Sequence, residues 1–316
     1  MRVLVLHPGA LGDVILALPA LGLLGRSAPG AEITLACAAG LQDLLLVPYA
    51  DRVLPLSAFP LHRLHGPAPP SEEDTRFWQG YDRIVSWTGN ANPDFVRNLR
   101  SIHPDALIVP WRPEPGETRH AARVYADSLA LPPPLARDLA PACVRPGAAA
   151  LEAGKRWLRE QGWDGRRALV MLHPGAGAAG KRWPPENFAG LVRRLVCRND
   201  LEPILMEGPA EPGLGRRIAE AVPGAMLCAG AALGPLAGIL SRCRFFIGND
   251  SGVTHLAAAL GVPTVALFGP TAPAQWAPLG ESVTVLRDAS GRLEKITVDA
   301  VLEAMKRQPG KTGPAV

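Results

Sequence analysis

A chain of 316 residues, 47% hydrophobic and 20% charged, is long enough for two ordinary domains and apolar enough to bury a core in each, which excludes disorder by composition. Its net charge of +4, from 33 basic and 29 acidic residues, is too small an excess for a dedicated nucleic-acid binder but leaves room for a local anionic ligand. Five scattered cysteines (Cys37, Cys143, Cys197, Cys228 and Cys243) form no CxxC pair, so neither a disulfide framework nor a zinc site is indicated and a cytoplasmic setting is expected.

The first apolar run, Arg2-Val-Leu-Val-Leu6, ends in His7-Pro8-Gly9-Ala10 and is followed by an apolar helical stretch from Val14. A run apolar on both faces, then a glycine turn and a helix, predicts a buried parallel strand. The same region imitates an export signal, but Asp13 interrupts it and residues 14–25 fall short of the roughly 20 that a membrane span requires. Neither a signal nor a transmembrane helix is therefore expected. Pro19, inside the helical stretch, predicts a kink or a late helix start. Further strands are predicted over 32–36, 52–55, 83–86 and 106–109, with helical pieces over 40–47 and 92–99. His62 and His65 share a proline-flanked loop without the spacing of a metal site. The proline-dense segment 131–150 reads as an inter-domain linker leading to a helix over 151–161.

The pattern then restarts. A second apolar strand, 168–172, also ends in His-Pro-Gly-Ala, now His173 to Ala176. A helix over 185–197 follows, with Pro185 in its first turn and Phe188, Leu191, Val192, Leu195 and Val196 at helical spacing. Strands over 203–206, 225–228, 245–247 and 264–268 alternate with helices near 213–221, 233–241 and 252–260, and the last periodic segment is a helix over 298–307. Residues 311–316 read as a frayed tail. Alternating strands and helices in two similar halves predict an α/β protein with ligands beyond the carboxyl ends of the strands, where both His-Pro-Gly-Ala turns lie.

Three segments carry chemistry. Gly175, Gly177 and Gly180 spell the dinucleotide fingerprint, but Lys181-Arg-Trp-Pro-Pro185 delays the helix that should open inside it, so NAD binding is disfavoured. The glycines instead describe a loop whose N–H groups can approach a phosphate, with Lys181 supplying charge. At Asn249-Asp-Ser-Gly252 a strand gives way at once to a helix, which makes an anion site of the exposed amides; a simple cap by Asp250 or Ser251 is compatible with it. Asp13, the only carboxylate before Glu32, is either a helix cap or a general base.

A-L-G-D-V-I-L-A-L-P around Asp13, H-P-G-A and then G-K-R-W-P-P-E-N-F up to Phe188, G-P-A-E at 208–211, and G-N-D-S-G-V-T-H-L-A-A-A-L-G-V-P-T-V-A-L-F-G-P-T at 248–271 resemble glycosyltransferase family 9, the bacterial ADP-heptose:lipopolysaccharide heptosyltransferases. The resemblance runs in matching order from Met1 to about Gly280. It implies the GT-B type of α/β fold, two Rossmann-like domains facing across a cleft: an acceptor-side domain over 1–145 and a nucleotide-sugar domain over 146–316, whose last helix can cross back to the first. It also implies an inverting, metal-independent enzyme without a cofactor, and the chain has no D-x-D motif. ADP-heptose would be the donor substrate. Asp13 matches the family's base and Lys181 the lysine on the donor diphosphate. The implied donor-binding set is Gly12, Gly175, Ala176, Gly177, Gly180, Lys181, Glu211 (near the ribose), Asp250, Ser251, Gly252, Thr254 and His255.

One departure stands out: Ala176, Gly177, Ala178 and Ala179 occupy the loop where some members carry hydroxyl residues. For an anionic oligosaccharide or lipid-linked acceptor at the inner membrane surface, Arg63 and Arg119 are singled out among the first half's basic residues. The alternatives are a family-9 transferase with another nucleotide sugar or a protein acceptor, and a non-catalytic nucleotide-sugar-binding module.

Overall fold

The computed structural model describes residues 1–37, 40–45, 49–114, 116–132 and 139–308. The expected tail over 311–316 and part of the expected linker lie outside them. The chain forms two compact units, Met1–Ala142 and Cys143–Val316, whereas the sequence placed the boundary at 145/146.

The first unit is built on five parallel strands, β1 (Arg2–Leu6), β2 (Glu32–Cys37), β3 (Arg52–Pro55), β4 (Arg83–Ser86) and β5 (Leu107–Ile108), in the order β3-β2-β1-β4-β5. Val3, Leu4, Val5 and Leu6 are all fully buried, as expected of a central strand covered on both faces. Leu4, Leu6 and Ile84 share a core with Trp78, Phe95 and Leu99. Helix α1 (Leu11–Ser27) starts directly after the glycine turn. The late start expected from Pro19 does not occur: the proline sits inside the helix, where its missing N–H removes one helical bond. Helices α2 (Glu72–Trp78), α3 (Pro93–Ile102) and α4 (Ala121–Ser128) complete the unit. The helix expected over 40–47 is a 3-10 turn, Leu41–Asp43, running into an extended Leu44–Leu45; the rest of that prediction lies outside the described residues.

The second unit repeats the winding with one more strand. After α5 (Ala148–Glu160), strands β6 (Ala168–His173), β7 (Leu201–Glu207), β8 (Met226–Ala229), β9 (Cys243–Asn249), β10 (Thr264–Phe268) and β11 (Val283–Arg287) stand in the order β8-β7-β6-β9-β10-β11, all parallel. Helices α6 (Pro185–Val196), α7 (Leu214–Ala221), α8 (Leu233–Leu240) and α9 (Gly252–Ala259) connect the strands. The last helix, α10 (Val298–Arg307), buries Val301, Ala304 and Met305 in this unit's own core with Phe188, Val192 and Leu267. Trp183 anchors the same core and donates its indole N–H to the Ile296 carbonyl at 2.8 Å. β11 is absent from the sequence reading, because a short, half-buried edge strand carries little periodicity.

In each unit the strand order reverses direction beside the strand that bears the His-Pro-Gly-Ala turn. That reversal lies between β1 and β4 in the first unit and between β6 and β9 in the second. A crevice opens outside the carboxyl ends at such a switch point.

Candidate active site

In the second unit, Gly248 of β9 pairs with His173 of β6, so the residues after both strands meet at the switch point. Asn249 ties them together: its amide nitrogen donates to the Pro174 carbonyl at 2.8 Å and its oxygen accepts from the Trp183 N–H at 2.9 Å. The loop from Ala176 carries no helix, only a 3-10 turn at Ala179–Lys181, so the dinucleotide fingerprint is interrupted as expected. Gly177 and Gly180 are exposed, whereas Gly175 and Ala176 are buried. Lys181 Nζ reaches Asp250 Oδ2 at 2.8 Å, uniting the lysine that ends the glycine loop with the strand-end loop 69 residues later.

α9 begins at Gly252, and Ser251 occupies its cap position without capping it. The Ser251 hydroxyl instead lies 3.1 Å from His173 Nδ1 and 3.1 Å from Thr254 Oγ1, while Thr254 donates to the Asn249 carbonyl. With no side-chain cap, the first amides of this eight-residue helix can meet an anion. His255, one residue further into the helix, is buried.

Behind this loop, His173 Nε2 lies 3.2 Å from Glu211 Oε1, which also accepts from the Gly208 N–H at 3.2 Å. Arg182 stands 4.0 Å from the second Glu211 oxygen. Burial pushes the Glu211 carboxyl up, but the His173 ring, the Gly208 N–H and Arg182 together hold it below the usual carboxylate range. The Glu211 side chain is only 3% exposed, so its first contact is with the imidazole. Gly175 is obligatory here, because a Cβ at that position would overlap the Glu211 carboxylate and lie 2.7 Å from His173 Nε2.

In the first unit, Asp13 lies in the first turn of α1 beside Gly12, and its Oδ2 accepts from the Ala10 N–H at 3.1 Å. Arg112 Nη2 is 3.9 Å from the same oxygen, its guanidinium lying over the Trp111 ring at 4.2 Å. Tyr125 donates to the Trp111 carbonyl at 2.6 Å. Burial pushes the Tyr125 hydroxyl up, and the nearby Asp13 charge pushes it further. Here too the turn's glycine is obligatory: a Cβ on Gly9 would lie 2.6 Å from both His7 Cε1 and Asp13 Cβ.

The two arginines singled out for the acceptor are engaged elsewhere. Arg63 pairs with Asp74, in the first turn of α2, at 2.9 Å, and Arg119 is held by Glu117 and, at 2.8 Å, by Asp127. Arg112, which the sequence left among many basic residues, is the arginine beside Asp13. Only tertiary structure distinguishes it. Among the described residues no cluster of three or more His, Cys, Asp or Glu is placed to hold a metal ion, and no helix is long and apolar enough to cross a membrane.

The profile of Glycosyltransferase family 9 (heptosyltransferase) matches residues 140–304. Lipooligosaccharide heptosyltransferase 2 of Haemophilus influenzae is 31% identical over 153 residues, 46% of this chain and 44% of that protein, so that match spans less than half of the relative. Lipopolysaccharide heptosyltransferase 1 of Pseudomonas aeruginosa is 29% identical over 306 residues, 89% of this chain and 82% of that protein. Among solved structures, ADP-heptose LPS heptosyltransferase II of E. coli superimposes with a TM-score of 0.76 at 21% identity, covering 97% of this chain and 98% of that one. An E. coli heptosyltransferase with ADP-2-deoxy-2-fluoro heptose gives 0.65 at 19% identity, covering 97% and 99%. These likenesses give the fold, GT-B.

Proposed function

Because the chain belongs to glycosyltransferase family 9, we propose that it moves a heptose, or a closely related sugar, from an ADP-sugar to a hydroxyl of a lipopolysaccharide core acceptor. The reaction is a single displacement with inversion. Asp13 takes the proton of the acceptor hydroxyl as that oxygen bonds to the anomeric carbon, and the bond from that carbon to the diphosphate oxygen breaks. The Ala10 N–H orients the carboxylate for this task. Lys181 and the open amides at the start of α9 take up the charge of the departing diphosphate, a task that needs no metal ion. Gly177 and Gly180 let backbone N–H groups stand in for the hydroxyls that the loop lacks. Asp250 holds Lys181, and Glu211 serves the ribose end of the donor. Arg112, rather than Arg63 or Arg119, meets the anionic acceptor beside the base. The lipid-borne acceptor places the working enzyme at the cytoplasmic face of the membrane.

The observation that carries this proposal is the uncapped start of α9 at the switch point, with Lys181 delivered to it by Asp250. Calorimetric titration with ADP, UDP, GDP and NAD in one buffer tests it. ADP is expected to bind tightest. Tighter UDP or GDP would discard the ADP-heptose donor, and tight NAD would overturn the phosphate-loop assignment.

A further inference from the structure

Hydrogen bonding around Ser251 leaves one proton too few. Thr254 spends its only hydroxyl hydrogen on the Asn249 carbonyl, so toward Ser251 it can only accept. Glu211 is a carboxylate and accepts as well, which places a proton on His173 Nε2. If the imidazole is neutral, its Nδ1 is then also an acceptor. Ser251 thus has a single hydrogen wanted by both Thr254 Oγ1 and His173 Nδ1, each 3.1 Å away. An anion arriving at the start of α9 would be a third acceptor for that same hydrogen. A second proton on the imidazole resolves the conflict: Nδ1–H donates to Ser251 Oγ, and the serine hydrogen is released outward.

We propose that His173 is a positioning residue that takes up a proton when the donor diphosphate binds, so that Ser251 can donate to the phosphate. This rests on the nucleotide-sugar assignment made above and identifies how its anion site is switched on. The charges around the ring are consistent with it. Glu211 faces Nε2, with Arg182 beyond it at 4.0 Å, and on the Ser251 side the Asp250 carboxylate is paired with Lys181. His255 on α9 is the other buried imidazole of this region. Thr254 and His173 are 0% and 4% exposed, so solvent scarcely reaches the two acceptors that compete for the Ser251 hydrogen.

The experiment is calorimetric binding of ADP to the whole chain between pH 6 and 8, in buffers of different ionisation enthalpy, which counts protons taken up per ligand. ADP has a titrating phosphate of its own, which contributes equally to every protein form, so the difference between forms is the readout. Wild type is expected to take up more protons than His173→Asn, whose amide keeps a donor toward Ser251 but cannot titrate. The ratio of their affinities is expected to change by up to about tenfold per pH unit, wild type gaining as pH falls. His173→Gln serves as the second variant, and thermal midpoints confirm folding of each. Equal proton counts in wild type and both variants overturn the proposal, even if affinity drops, because a merely structural ring would change affinity alone. Loss of the extra proton in His255→Gln, with His173→Asn unchanged, overturns it too. Absence of ADP binding to wild type would instead remove the nucleotide-sugar assignment beneath it.

Discussion

The two His-Pro-Gly-Ala turns are the same four residues at the same point of the same winding, yet their histidines are built into different chemistry. His7 accepts the Gly9 N–H on Nδ1 at 3.1 Å and packs against the rings of Trp87 and Tyr125, with centroids 5.4 and 5.3 Å away. Burial lowers it from 6.5 to about 3, so it stays neutral and acts as packing beneath the turn that carries Asp13. Among the described residues no aromatic ring packs on His173; both of its nitrogens meet polar side chains, Ser251 and Glu211. In both turns the glycine is there because a carboxylate-bearing side chain and the imidazole crowd the space a Cβ would take. One architecture therefore supports a carboxylate near the surface in one unit and a carboxylate buried against its imidazole in the other. The strand and turn set where the imidazole sits, and its long-range neighbours set what it can do.

The sharpest break of this comparison is to remove the working charge from each unit. Asp13→Ala is expected to lower the transfer rate by about 10²- to 10⁴-fold, the scale of a lost general base, while leaving the ADP dissociation constant nearly unchanged. Lys181→Ala should do the reverse first, weakening ADP about tenfold or more through the loss of a charge-assisted contact. Rates and calorimetry on the two variants would show whether the units divide the labour; a large loss of ADP affinity in Asp13→Ala would refute that division.

Steric substitution comes next. Gly175→Ala is expected to destabilise the second unit by about 1–3 kcal/mol, because the new methyl meets Glu211 and His173, while Gly177→Ala, with nothing within 4 Å, should be close to neutral. Chemical denaturation of both variants checks the contrast, and equal stabilities would mean that the loop, and not the buried pair, sets the turn.

The most gradual effect, spread over several pH units, concerns the neutral histidine. Between pH 6.5 and about 3 the unfolded chain binds a proton that folded His7 refuses, so stability falls as pH drops through that window. The slope is at most about 1.4 kcal/mol per pH unit. His7→Gln should flatten this part of the dependence of thermal midpoint on pH, and an unchanged slope would show that His7 is not responsible for it.

Much of the architecture was readable because the signals are local. Continuous apolar runs such as 2–6 and 168–172 announce strands covered on both faces, and the heptad-like spacing from Phe188 to Val196 announces α6. The strand-to-helix turn at Asn249–Gly252 was readable for the same reason: a strand end, a glycine and a helix start are consecutive in the chain. Short or half-buried pieces, such as α2, α4 and β11, escaped because they carry only a few periodic positions. The carboxylate partners of Arg63 and Arg119, which are Asp74, Glu117 and Asp127, were not readable because composition cannot tell a paired arginine from a solvated one.

By itself, then, the sequence determined the two parallel-sheet units, the turns at their switch points, and the residue types gathered there, since strand burial, glycine turns and helix-end amides are properties of neighbouring residues. Tertiary structure alone decided which partner each group received. His173 meets a glutamate 38 residues away and a serine 78 residues away, Asp13 meets Arg112, and His7 meets two aromatic rings. Whether an imidazole is packing or a proton carrier depends on those contacts, because hydrogen-bond roles and charge are set by what surrounds a group in space.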